Sequence, residues 1–92
     1  MIKTFADRAT AELFSGTRVA RWANIEIVAT RKLQQLDCAV TLESLRVPPG
    51  NRLEALTADR QGQHSLRINE QWRLCFVWAA DGVYQVQIVD YH

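Results

Sequence analysis

Trp72-Arg73-Leu74-Cys75-Phe76-Val77-Trp78 is the stretch whose reading decides the fold. In an extended chain successive side chains point to opposite faces, so Trp72, Leu74, Phe76 and Trp78 share one side while Arg73, Cys75 and Val77 share the other. Working outward, residues 63–68 repeat the pattern, with Leu66 and Ile68 opposing Ser65 and Arg67. Residues 52–56 and 83–89 read as further strands. The segments between them, Asp59-Arg60-Gln61-Gly62, Asn69-Glu70-Gln71 and Ala79-Ala80-Asp81-Gly82, are short enough to make neighbouring strands antiparallel.

Upstream the period changes. Trp22, Ile25, Ala29, Leu33 and Leu36 recur at three- and four-residue steps with no Gly or Pro between them, which predicts an amphipathic helix over residues 22–37. Before it, residues 1–5 read as a short first strand. Asp7 then caps a helix whose Ala9, Leu13 and Phe14 face inward and which stops at Gly16. Thr41 caps a single turn reaching Leu45, and Val47-Pro48-Pro49-Gly50-Asn51 breaks the chain before the strands. Helices followed by a meander predict an α+β fold of two layers, with the helices on one face of a mostly antiparallel sheet. The aromatic side of the strands should meet the helices, leaving Arg67 and Arg73 on the open side.

Ninety-two residues with 48% hydrophobic content suffice for one core, so residues 1–92 read as a single domain. No apolar run approaches a membrane span, and Met1-Ile2-Lys3-Thr4-Phe5-Ala6-Asp7 offers no apolar signal region, so the expected setting is the cytoplasm, without a membrane. Cys38 and Cys75 lie far apart and read as reduced core thiols, with no metal site expected. The net charge is only +1, but it is unevenly spread. Residues 1–36 carry six Lys and Arg against three acids, whereas residues 37–92 carry five Arg against seven acids.

Several residues could carry chemistry. A planar guanidinium suits bidentate capture of a phosphate, so Arg73 is a candidate anion site; an ion pair with Asp90 or Glu54 accounts for it equally well. The ending Asp90-Tyr91-His92 gathers an acid, a phenol and an imidazole that can hydrogen-bond, stack or move protons, unless it is simply a frayed terminus. Arg21, Arg31 and Lys32 mark one side of the long helix, as a solvated face or as a docking face. His64 shares the apolar side of its strand with Leu66 and Ile68 and reads as a packed histidine, and Trp22, Trp72 and Trp78 read as core.

Taken in order, Pro49-Gly50-Asn51-Arg52-Leu53-Glu54-Ala55-Leu56, Asp59-Arg60-x-Gly62-Gln63-His64-Ser65, Arg67-Ile68-Asn69-x-Gln71-Trp72-Arg73-Leu74-Cys75-Phe76 and Val89-Asp90-Tyr91-His92 resemble the HigB toxins. These belong to the RelE/ParE superfamily, and the sequence is most similar to the GraT-like branch. The resemblance implies a compact α+β fold, a ribosome-dependent endoribonuclease that cuts translated mRNA without a cofactor, and neutralisation by a HigA-type antitoxin carrying a helix-turn-helix. It places the phosphate-binding arginine on Arg73, a neighbouring RNA contact on Gln71, and the terminal functional group on Asp90, Tyr91 and His92. Where many HigB toxins carry a histidine and a lysine in an L-H-x-L-K-G-D stretch, this chain has Glu54 and Thr57, and Ala58 replaces the glycine. One lost preorganised donor is worth about 3 kcal/mol of transition-state stabilisation, so a weaker toxin is expected.

The mechanism expected from these residues is attack of a ribose 2′-OH on its own 3′ phosphate. Arg73, supported by Arg67, would neutralise the developing charge, His92 or Asp90 would move protons, and Tyr91 would stack a base. The ribosome would align the mRNA, with Arg21, Arg31 and Lys32 docked on ribosomal RNA. Two rivals differ in class: a non-catalytic inhibitor that binds the ribosome or disturbs its assembly, and a ParE-like inhibitor of DNA gyrase.

Overall fold

Alternation in the strands and helical periodicity before them produce two layers. The computed structural model describes residues 1–90. Helix α1 (Arg8–Phe14) starts where the Asp7 side chain accepts a hydrogen bond from the Thr10 amide, as its capping chemistry predicts. Helix α2 is Glu26–Cys38. The strands β1 (Glu54–Ala55), β2 (His64–Arg67), β3 (Trp72–Ala79) and β4 (Gly82–Asp90) form an antiparallel sheet in that order.

The buried core lies between the layers. Leu13, Trp22, Ile25, Ala29, Leu33 and Leu36 meet Leu66, Leu74, Phe76, Val83, Val86 and Ile88. Trp22 and Trp72 pack edge to face at 6.2 Å, and Trp72 and Trp78 flank the cluster half-buried. His64 stacks on Phe76 from the apolar side of β2, a packed histidine as expected. Among the described residues no helix is long and apolar enough to cross a membrane.

Four expectations are corrected. The long helix is broken: residues Ala20–Ile25 form a 3₁₀ turn, with Trp22 and Ile25 outside helical backbone angles, and α2 begins only at Glu26. Trp22 and Ile25 are nonetheless both buried in the core from this turn, as the periodicity placed them. The first strand is reduced to two parallel bridges, Ile2 to Val83 and Phe5 to Val86, along the outer edge of β4. Strand β1 shrinks to two residues because Arg52, at φ 45°, and Ala58, at φ 55°, leave extended geometry on either side of it. Cys38 is exposed at the end of α2, so only Cys75 is a buried thiol.

Within β4 a bulge at Gln85 (φ 54°) inserts one residue between the pairs Cys75–Gln87 and Val77–Tyr84. The insertion keeps Val83, Val86 and Ile88 all on the core face. It also sets the alternation beyond it, putting Val89 opposite Arg73 and Asp90 opposite Trp72.

Candidate functional site

On the sheet face away from the helices, register gathers Glu54, Ser65, Arg67, Arg73 and Cys75. Glu54 stands opposite Ser65, Ser65 opposite Cys75, and Arg67 opposite Arg73. The face is not open at this point. Arg73 is only 6% exposed, and Ser65 and Cys75 are fully buried.

Arg73 is held on three sides. Its Nε donates to Ser65 Oγ at 2.9 Å and its Nη2 to the Arg52 carbonyl at 2.9 Å, while Nη1 lies 3.3 Å from Glu54 Oε1. The ion pair with Glu54 is present, and burial of the guanidinium corrects the picture of an arginine exposed on the sheet. The Glu54 side chain is 48% exposed, so the pair reaches from the interior to solvent. Arg67 is half-buried, and its guanidinium has no hydrogen-bond or ion-pair partner among the described residues. Burial pushes the Cys75 thiol above its ordinary range, against the opposing pull first of Arg60 and then of Arg73, which places a further cation beside this face.

Backbone shape makes this arrangement. Arg52 closes the 3₁₀ turn Pro49–Asn51 in left-handed geometry, and its carbonyl thereby meets Arg73. A non-glycine residue in that region costs roughly 1–2 kcal/mol. A hydrogen bond to a charged donor returns about the same amount. Glu54, Thr57, Ala58 and Arg60 line a cleft of about 370 Å³ that opens beside the pair. A larger cleft, about 510 Å³, lies between the end of α1 and α2, with Arg31 on its wall, and is separate from these groups.

The other candidate residues fall elsewhere. Gln71 Nε2 donates to Asp90 Oδ2 at 3.2 Å, at an exposed end of the β3–β4 pair. Asn69 fixes that end by accepting from the amides of Gln71 and Trp72. By alternation Asp90 lies on the face of Trp72, beside the end of the strand that carries Arg73. Tyr91 and His92 lie outside the described residues.

Of the basic trio, Arg21 and Arg31 are exposed, Arg21 with its guanidinium 4.6 Å above the Trp22 ring. Lys32 is not a free docking cation. Its ammonium donates to Asn51 Oδ1, and burial, followed by the Arg31 charge, pushes it below its ordinary range.

Sequence reasoning missed Ser65, the Arg52 carbonyl and Asn51. Ser65 was findable, because alternation already put it on the face of Arg73. The Arg52 carbonyl was not, since its direction depends on one backbone torsion.

Residues 3–92 match the family described as RelE-like toxin of type II toxin-antitoxin system HigB. Toxin HigB-1 of Vibrio cholerae is 44% identical over 70 residues, covering 76% of this chain and 73% of that protein. An uncharacterized protein of Haemophilus influenzae is 35% identical over 54 residues, covering 59% of this chain and 54% of its own length. Among solved structures, the YoeB–YefM complex from Staphylococcus aureus superposes with a TM-score of 0.57 at 17% identity, over 100% of this chain and 98% of the other. The YoeB dimer from the same organism gives 0.56 at 18%, over 99% and 94%. At such identity these structures speak for the fold, the same two-layer arrangement of helices on an antiparallel sheet. Family, relative and fold agree, and the chain belongs to the HigB family of RelE-like toxins of type II toxin–antitoxin systems.

Proposed function

We propose that this toxin is an endoribonuclease that cuts translated mRNA on the ribosome, in the cytoplasm, and is neutralised by a HigA-type antitoxin carrying a helix-turn-helix. The observation that supports it best is the Arg73–Glu54 pair: a guanidinium oriented from within, beside a carboxylate that reaches solvent. Glu54 stands where an anion meets Arg73, so an RNA phosphate approaching the same edge has a preoriented cation to engage.

In this scheme the ribose 2′-oxygen forms a bond to phosphorus as the bond to the 5′-oxygen breaks. The products are a 2′,3′-cyclic phosphate and a 5′-hydroxyl end. Arg73, with Arg67 beside it, offsets the charge on the phosphorane. Among the described carboxylates Glu54 shares the face of Arg73, so it takes the proton from the 2′-OH. The leaving oxygen takes its proton from His92 of the terminal group. Gln71 contacts the RNA near Asp90.

Purified toxin is incubated with mRNA, with and without ribosomes, and new 5′-hydroxyl ends are mapped. Cleavage should require ribosomes. Arg73→Ala should lower the rate by about 10²–10³, and Glu54→Gln by about 10²–10⁴. Retained or raised cleavage in Glu54→Gln would make Glu54 a counter-ion and not the base.

One observation favours a second reading, a non-catalytic inhibitor bound to the ribosome: Arg73 is already paired, and Thr57 supplies no cation beside it. Translation arrest without new RNA ends from the unaltered toxin would establish that reading.

A further inference from the structure

Three features of the loop before β1 converge on one residue. Asn51 is fully buried although polar. Its Oδ1 accepts from Lys32 of α2. Its Nδ2 donates to the Leu45 carbonyl at 3.0 Å, to Gln35 Oε1 at 3.1 Å and to the Val47 carbonyl at 3.3 Å. Gln35 closes the ring by donating to the same Val47 carbonyl at 2.7 Å. The next residue in the chain is Arg52, whose left-handed backbone turns its carbonyl onto Nη2 of Arg73.

We infer that Asn51 is a positioning residue for Arg73: by fixing the loop to α2 through Lys32 and Gln35, it holds the Arg52 carbonyl where it locks the guanidinium. Ordinary packing does not ask for this arrangement. A buried amide is tolerated only when its donors and acceptor are satisfied, and here all of them are spent on tying three separate segments together at the point where the chain enters β1. With Asn51 gone, nothing else among the described hydrogen bonds fixes residues 45–51 to Lys32 and Gln35 except the Gln35–Val47 bond. A left-handed arginine, strained by its Cβ, would then relax toward extended backbone and swing its carbonyl off Arg73.

The orientation of Arg73 is the primary readout, because it does not presuppose catalysis. The inference does rest on the nuclease reading for the functional value of that orientation. In the unaltered protein the bonds at Nη1 and Nη2 should slow rotation about the Arg73 Nε–Cζ bond, resolving the Nη protons by NMR. In Asn51→Ala that rotation should quicken about tenfold or more, the scale on which one charge-assisted hydrogen bond acts. Cleavage on ribosomes should lose kcat by about ten- to a hundredfold, the effect of a misplaced reacting group, with KM little changed. Lys32→Met leaves the Asn51 amide bonds in place and should quicken the rotation in the same direction by a smaller factor.

Unchanged rotation in folded Asn51→Ala would overturn the inference. Should Asn51→Ala fail to fold, Lys32→Met decides the matter: faster rotation supports the inference and unchanged rotation overturns it. Faster rotation in a toxin that leaves no RNA ends would sink the nuclease reading alone, and the positioning of Arg73 by Asn51 would stand.

Discussion

Burying a guanidinium costs desolvation that only well-placed acceptors offset, and Arg73 finds three of them in a serine hydroxyl, a carbonyl and a carboxylate. Because Glu54 is half exposed, solvent screens the pair, and its net worth to stability is at most about 1 kcal/mol. Its value is therefore in orientation and local charge more than in holding the fold. A neighbouring residue shows the opposite balance. Ala58 sits at φ 55° on the exposed wall of the cleft beside Glu54, where the sequence departs from the glycine of the family pattern. A Cβ in left-handed geometry costs about 1–2 kcal/mol, while glycine adds roughly 0.5–1 kcal/mol of unfolded-state entropy. Ala58→Gly should therefore stabilise the toxin by up to about 1 kcal/mol, read as a higher urea midpoint at unchanged slope. A lower midpoint would show that the turn does not hold this geometry in solution. At this scale the sequence disclosed which side chains share the face, because alternation is a property of the strand. It hid the strained torsions at Arg52 and Ala58, because any residue type is compatible with a turn read only from its neighbours.

The elements followed their patterns where one face was buried and departed where the chain had to bend. Strands β2, β3 and β4 lie within a residue or two of the alternating stretches, since a slip by one residue would send Leu74 and Phe76 to the wrong side. The break before α2 was not legible, because Trp22 and Ile25 fit the helical period that Ala29, Leu33 and Leu36 continue. The terminal segment was legible as extended but not in its partner. It lies parallel to β4, with the Lys3 amide donating to the Val83 carbonyl and the Val83 amide to the Met1 carbonyl. This docking needs a bare backbone at Gly82, where an added Cβ would stand 2.6 Å from Lys3 Cγ and 2.9 Å from the Met1 carbonyl oxygen. Gly82→Ala should cost about 1–3 kcal/mol, the usual penalty of overpacking. Amide exchange should quicken at Lys3 and Val83, while the pairing of β2 with β3 keeps its protection. Uniformly quickened exchange would mean that the segment is integral to the core and not a strip laid on its edge.

Across the whole molecule the charges divide as the chain does, with the surplus of cations in the helical half and the paired guanidinium in the sheet half. A net charge of +1 steers little by itself, so attraction to a polyanion has to come from local patches. Arg21 and Arg31 are exposed and suited to that work, whereas Lys32 is committed to Asn51. The difference sets apart two roles that looked alike in the sequence, where all three cations belong to one stretch. Every phosphate that a removed cation no longer neutralises lowers the dependence of log affinity on log salt by about one. Arg21→Ala combined with Arg31→Ala should therefore weaken ribosome binding and lower that slope by about 2, measured by co-sedimentation over a salt series. Lys32→Met should leave the slope as it is while loosening Arg73 through Asn51. A slope that falls with Lys32→Met would return that cation to the docking surface, whereas a slope unchanged in the double variant would move the surface away from this face of the helical layer. A ribosome-bound toxin would then be met by the sheet side, where Arg67 stands opposite Arg73 and Arg60 lies beside the same face.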